Sequence, residues 1–392
     1  MKNKLIIIIG LFSFISTAVM AQSFNELLNT IEENNTEIQA AKKYVESKTY
    51  EYKSENLPDG PSFSYGYFPD NSTVSGTKEV LEVSQSFQMP CFYRNQSAYS
   101  KLRISQEELS QKVLRQNILI EAKQLLIEYT YRLKQMAIVD KRLKFAEDIY
   151  SAYMIRLETG DANALEVNKA KLHLMQVKRK EKDARNEILS IKEKLKYFNG
   201  GNDLEIKIND YPLVNLVELD SLLFDKMAND PEVQLNQKAV EVSEKRIKVT
   251  KNLQLPELSL GYGSETVADE KFQGVLVGIS IPLWGSKRTI QQSKLESEYF
   301  SLNNSRAKRA KISETKVMFD KVTTLDENLK SYKNILSSVN NEDLLKQSLE
   351  LGEISVIEFF TEMFYYYEVY DDFLDVEMEF HQELANLYKY KL

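Results

Sequence analysis

Glycine and proline are scarce in this 392-residue chain, thirteen and eight respectively. That scarcity excludes a fold of many short elements joined by tight turns and points to long, uninterrupted ones. Cysteine occurs once, at Cys91, so no intramolecular disulfide can form. The only histidines are His173 and His381. With no Gly-rich phosphate loop, no Cys-x-x-Cys and no His-Glu-x-x-His, the chain carries no constellation for catalysis, and no enzyme, cofactor or metal site is expected. Met378 does lie one helical turn from His381, and Met89 lies close to Cys91, but methionine on a packed helix is usually filler rather than a soft-metal ligand. Basic residues do not dominate either. Lys and Arg number 51 against 58 Asp and Glu, a formal net charge of -7 that gives no case for nucleic acid.

Long apolar runs are also missing, except at the start. "MKNKLIIIIGLFSFISTAVMAQS" places Lys2 and Lys4 before an apolar run that ends in Val-Met-Ala. This is the layout of a secretory signal peptide over residues 1–21, cleaved after Ala21, and the run falls short of the ~20 residues that span a bilayer as a helix. The mature chain is expected to be exported. It begins at Gln22, with no cysteine at the cleavage point to take a lipid.

What is present is a repeat. "LETGDANALE" (Leu157 to Glu166) is echoed by "LELGEISVIE" (Leu349 to Glu358), and "NNTEIQ" (Asn34 to Gln39) by "NDPEVQ" (Asn229 to Gln234). Each of the latter pair leads through a helical stretch to a Leu-Pro, Leu57-Pro58 and Leu255-Pro256. Pro90 stands seventy residues before Gly160, and Pro282 seventy before Gly352. The period is too long for a solenoid, so the reading is one large unit stated twice, at 22–210 and 211–392.

Within each unit the expected order is helix, two strands, very long helix, glycine turn, long helix. Apolar residues spaced four and three apart (Ala122, Leu126, Tyr129, Leu133, Met136; Ile188, Ile191, Leu195, Phe198) call for left-handed coiled-coil packing. A helix from about Phe92 to Leu157 runs roughly 100 Å at ~1.5 Å per residue, beyond any ordinary globular core.

The strands alternate. Phe63, Tyr65 and Tyr67 are interleaved with Ser62, Ser64 and Gly66, and Leu258, Leu260 and Tyr262 with Ser259, Gly261 and Gly263. Leu81, Val83, Phe87 and Met89 continue the pattern, as do Val275, Val277, Ile279 and Ile281. Such strands suit a transmembrane barrel or a soluble sandwich equally. Four strands cannot close a barrel, and lipid does not tolerate an open sheet edge. If these strands span a membrane, several copies must close it together, and three copies supply twelve strands.

The duplicated unit, the Asn-x-x-x-x-Gln start of each half, the Leu-Pro before each first strand, the strand ending in "SIPLWGSKR" and the glycine hairpins together resemble the TolC family of outer membrane efflux proteins. The resemblance implies a mainly α fold with a β part. Three copies would form a twelve-stranded barrel in outer membrane lipid of a Gram-negative cell, continued by a long α-helical coiled-coil barrel in the periplasm. It also implies a homotrimeric passive duct, partnered by a periplasmic adaptor (membrane fusion protein) and an inner-membrane efflux transporter. "GVLVGISIPLWGSKRTIQQSKLE" resembles the heavy-metal efflux branch. The other reading is a periplasmic coiled-coil scaffold outside any membrane. The chain departs from the family in "SFQMPCFYRNQ", which lacks the Pro-Leu pair, and its linker from Gly200 to Tyr211 and short carboxyl end leave little material for an equatorial belt.

The resemblance also assigns roles. Leu157, Gly160 and Asp161, with Leu349, Gly352 and Glu353, fall on the hairpin tips that face the adaptor. Family members place carboxylates six and nine residues after the second hairpin glycine. Here those positions hold Glu358 and Thr361, making Glu358, with its first-half counterpart Glu166, the channel-gate candidates. Between Lys346 and Lys389 no Lys or Arg occurs, while eleven acidic residues run from Glu350 to Glu383. Glu362, Asp371, Asp372, Asp375 and Glu379 are candidates for an acidic lumen; the alternative is a solvated acidic face.

Overall fold

A computed structural model describes residues 23–69, 76–267, 270–284, 286–338 and 341–392; the leader at 1–21 lies outside them. The first half comprises α1 (Phe24–Asn34), α2 (Thr36–Ser54), β1 (Ser62–Phe68), β2 (Lys78–Phe87), α3 (Pro90–Thr159) and α4 (Ala164–Phe198). After an irregular linker come α5 (Leu219–Asn229), α6 (Pro231–Asn252), β3 (Glu257–Val267), β4 (Glu270–Ser280), α7 (Ser286–Ser338), α8 (Asn341–Glu350) and α9 (Val356–Leu387). The same order runs twice.

Each unit opens with two helices where the sequence reading expected one. Asn35 breaks the first pair and caps α2, its Oδ1 accepting from the backbone N–H groups of Glu37 and Ile38 at 3.0 Å. Asp230 does the same in the second half, accepting from Glu232 N at 2.9 Å, with Pro231 at the first helical position. Gln39 then reaches back across the break to the Glu33 carbonyl at 2.8 Å, and Gln234 to the Ala228 carbonyl at 2.9 Å. The echo, Asn35-x-x-x-Gln39 against Asp230-x-x-x-Gln234, is thus a helix-break device of the same design in both halves.

α3 has 70 residues, about 105 Å at ~1.5 Å per residue. Its expected seam is buried: Ala122, Leu126, Tyr129 and Met136 are covered, with Leu133 packed alongside. Ile191 and Leu195 of α4 close over them. α3 also packs against α9, which in turn packs along α7. In the second half the described residues give α7 and α8 on either side of residues 339–340, which lie outside them.

A belt does surround the middle of the shaft, contrary to the expectation from the short linker. Phe24, Leu27, Leu28 and Ile31 of α1 pack on α3, and the linker side chains Ile208 and Tyr211 are buried in the same cluster. In the second half Leu222 of α5 packs with Val322 of α7, Leu387 of α9 and Tyr390 of a closing 3-10 turn. The linker builds a belt without its own helices because its alternate side chains point into the shaft.

The four strands form one antiparallel sheet in the order β1-β2-β3-β4, so β1 and β4 are open edges. Among the described residues no helix is long and apolar enough to cross a membrane.

Candidate functional site: an apolar sheet face and a double-hairpin tip

Directly paired residues of an antiparallel sheet share a face, so the register decides what each face presents. One row reads Phe63, Val83, Tyr262, Val275; the next reads Tyr65, Leu81, Ser264, Gln273. Toward the helices the rows read Gln85, Leu260, Val277 and then Phe87, Leu258, Ile279. The residues that alternate in sequence therefore merge into one continuous apolar face across all four strands. It is uncovered in the single chain: Phe63 is 69% exposed, Val275 76% and Val277 75%. The other face carries Ser64, Glu82, Gly263 and Gly274 in one row, and Ser84 paired to Gly261 in another. Bulk is limited there, since a Cβ on Gly261 would sit 3.0 Å from the Val83 carbonyl oxygen. Tyr67 marks one end of the apolar face, and exposed Phe87 the other.

At the far end of the shaft, the echoed decapeptides form two helix reversals of the same construction. Gly160 and Gly352 adopt φ 82° and 73°, a left-handed backbone that glycine takes without steric cost. Asp161 N donates to the Arg156 carbonyl at 2.7 Å and Gly160 N to that of Leu157 at 3.2 Å. Glu353 N to Ser348 O at 2.9 Å and Gly352 N to Leu349 O at 3.2 Å repeat the pattern; both are Schellman closures. Three residues on, Asn163 and Ser355 cap the returning helices.

Glu166 and Glu358 complete those caps. Glu166 Oε2 accepts from Asn163 N at 2.9 Å and Glu358 Oε2 from Ser355 N at 2.8 Å. The Ser355 backbone bond, then its hydroxyl side chain, hold the Glu358 carboxyl below the usual glutamate range. The closing glutamate of each decapeptide therefore has a structural job; Glu358 stays exposed at the tip, and Glu166 is half-buried.

The two hairpins are fastened together by one apolar cluster. Ile149, Tyr153 and Val167 come from the first, Val356, Phe359 and Met363 from the second, and Leu349 packs against them. Leu157, Asp161 and Glu353 stay exposed.

The acidic stretch of α9 divides in two. Asp371 is gripped by Arg142 of α3 through Oδ1 at 2.7 Å and Oδ2 at 3.0 Å. Arg142 is only 5% exposed and lies over the Tyr367 ring at 4.0 Å. Asp375 accepts from the Tyr131 hydroxyl at 2.5 Å, and Glu379 and Glu383 share Lys321 of α7 at 2.8 Å each. Glu377 meets Lys134 at 2.9 Å. The bases absent from α9 thus arrive from neighbouring helices, which reading along one helix could not show. Glu362 and Asp372 are exposed and, among the described residues, have no ion pair.

Sequence reasoning missed the cluster around His381. Its ring stacks on Tyr211 at 4.2 Å, and Lys134 lies over the other ring of that stack at 4.4 Å while pairing with Asp210 at 2.7 Å. Burial foremost, then Lys134, pushes His381 down to about 4. Met378 packs into the belt cluster, and among the described residues no group of His, Cys, Asp and Glu is placed to hold a metal ion.

A profile of the family described as outer membrane efflux protein matches residues 27–201. No curated protein sequence gives a significant match. Solved structures do. A membrane protein from Pseudomonas aeruginosa superposes with a TM-score of 0.79 at 14% identity, over 94% of this chain and 93% of that one. CusC, crystallised to follow folding and transmembrane channel formation, gives 0.77 at 15% identity, over 94% and 91%. The CmeC outer membrane channel of Campylobacter jejuni gives 0.73 at 16% identity, over 94% and 85%. At such identities these likenesses establish the fold over 94% of the chain.

Proposed function

We propose that this chain, whose residues 27–201 match the outer membrane efflux protein profile, is the passive exit duct of a tripartite efflux pump, built from three copies. The observation that carries this reading is the four-stranded sheet with an apolar face uncovered across its full width and both edges unpaired. In lipid such a face is at home, but its edges must be satisfied. Pairing β4 of one copy with β1 of the next does so for all three, giving a twelve-stranded barrel with the serine- and glycine-rich face inward.

The same arrangement weighs against a scaffold in the aqueous periplasm, where so large an apolar face would drive aggregation. The helical shaft then extends from the outer membrane into the periplasm. Its double-hairpin tip, with Leu157, Gly160, Asp161, Leu349, Gly352 and Glu353, faces the periplasmic adaptor, through which the inner-membrane transporter delivers cargo. Glu358 and Glu166 form carboxylate rings at the gate, and Glu362 and Asp372 extend the acidic lining. Asp371, Asp375 and Glu379 serve the packing of the shaft as well. Metal ions are the cargo class we favour, on the resemblance of residues 274–296 to the heavy-metal branch.

Fractionation tests the placement. The protein is expected with outer membranes and resistant to extraction by salt. Recovery in the soluble periplasmic fraction would overturn it.

A further inference from the structure

At one buried place the second half sets charge where the first sets apolar side chains. Aligned on Asn34 and Asn229, and on Gly160 and Gly352, they set Lys226 against Ile31 and Lys311 against Leu119. Ile31 and Leu119 are 0% and 2% exposed members of the apolar cluster joining α1 to α3. Lys226 is just as buried, at 4%, and with Lys311 it lines a cavity of ≈ 330 Å³ between α3, α5, α7 and the end of α9. Burying an ammonium in place of an alkyl chain costs several kcal/mol unless it is paired. The second half accepts that cost where the first avoids it.

The polar groups of the cavity are unevenly spent. Lys311 takes the carboxylates, with Glu232 at 2.5 Å, Asp230 at 3.7 Å and Glu314 at 3.9 Å. Lys389 donates to Asn117 Oδ1 at 2.6 Å. Among the described residues Lys226 makes no ion pair, and its Nζ reaches only the Leu387 carbonyl, at 3.5 Å. Gln116, 2% exposed, leaves its Nε2 without a partner. Both unspent groups are donors, and the carboxylates that could hold a cation already surround Lys311. Burial, reinforced by Lys311, lowers the pKa of Lys226, a penalty that an acceptor of negative charge beside Nζ would relieve.

We propose that this cavity binds one small monovalent anion, of the chloride or formate class, held by Lys226 Nζ and Gln116 Nε2. Three lysines and three carboxylates line the space, so each added negative charge goes uncompensated and a single charge is favoured over two. At about 30 Å³ per water the cavity has room for several waters beside the ion. The bound ion ties α5 to α3 and to the last turn of α9, fastening the second half of the belt where the first half uses apolar packing. The inference does not depend on the duct reading.

Crystals of the full chain grown with bromide in place of chloride test it. An anomalous peak is expected within hydrogen-bond reach of Lys226 Nζ, and lost in Lys226→Ile. Non-anomalous density that refines as water, or bromide at surface lysines only, overturns the proposal. In detergent solution, chloride or formate should raise the melting temperature of the wild type above its value in gluconate at equal ionic strength. Lys226→Ile should show no such difference; Gln116→Leu replaces it if that variant does not assemble. An equal rise in wild type and variant, or none in the wild type, also overturns it.

Discussion

Gly160 and Gly352 hold the same left-handed backbone, at φ 82° and 73°, although 192 positions separate them. A Cβ at either would meet nothing within 4 Å, so a side chain there is opposed by the backbone angle alone. Gly352→Val is expected to cost about 1–3 kcal/mol locally while the shaft clusters stay packed. Export should fall further than assembly, as read by an export assay beside the native mass. Equal loss of both would reduce the glycine to a structural turn.

Glu358 joins a cap to a charge, and two substitutions separate them. Ser355→Ala removes the cap acceptor and should cost about 1 kcal/mol of stability with the pore charge intact. Glu358→Gln keeps a side chain able to accept from Ser355 N, so the fold should hold while conductance changes. The folded carboxyl titrates below its usual range, so its stabilising contribution is present above the unfolded pKa and is lost as pH falls through the folded one. Reversal potentials in a salt gradient should show cation preference in the wild type. No preference would reject the acidic lumen, and unchanged conductance in Glu358→Gln would remove Glu358 from the gate.

Arg142 and Asp371 should respond unequally to truncation. Arg142 is buried, whereas the Asp371 side chain keeps 32% exposure. Asp371→Ala strands the guanidinium and should cost about 3–5 kcal/mol, while replacing both residues with apolar side chains of similar volume should cost much less. Denaturant unfolding of single and double variants measures the difference. Additive losses would show that the pair does not act as a unit.

His381 makes the belt sensitive to acid. Its folded pKa, about 4, lies below the usual ~6.5. The unfolded chain therefore takes up a proton first as pH falls. Stability is full above about pH 6.5 and declines toward pH 4, by on the order of 3 kcal/mol. His381→Phe keeps a ring against Tyr211 and should flatten thermal stability across that window. An unchanged pH profile would remove His381 as the cause.

Period-two strands, the four-and-three spacing of Leu126 and its neighbours, and the hairpin glycines were legible in sequence because each follows from local backbone geometry. The breaks at Asn35 and Asp230 were written there too. Asp230-Pro231-Glu232 is a cap, a first-turn proline and a first-turn acid in order, hidden only because the flanking helices share one apolar pattern. The partners of Asp371 and Glu379 could not be read, since Arg142 and Lys321 lie on other helices. Nor could the belt, because the alternation of Leu204, Ile206 and Ile208 is too short to announce which element it packs against.

The central claim is that three copies close one barrel through β4-to-β1 pairing. The mass of the protein extracted from membranes in mild detergent, corrected for bound detergent, tests it most directly. Three chains per particle is the expected result, and a stable, folded monomer would contradict the account.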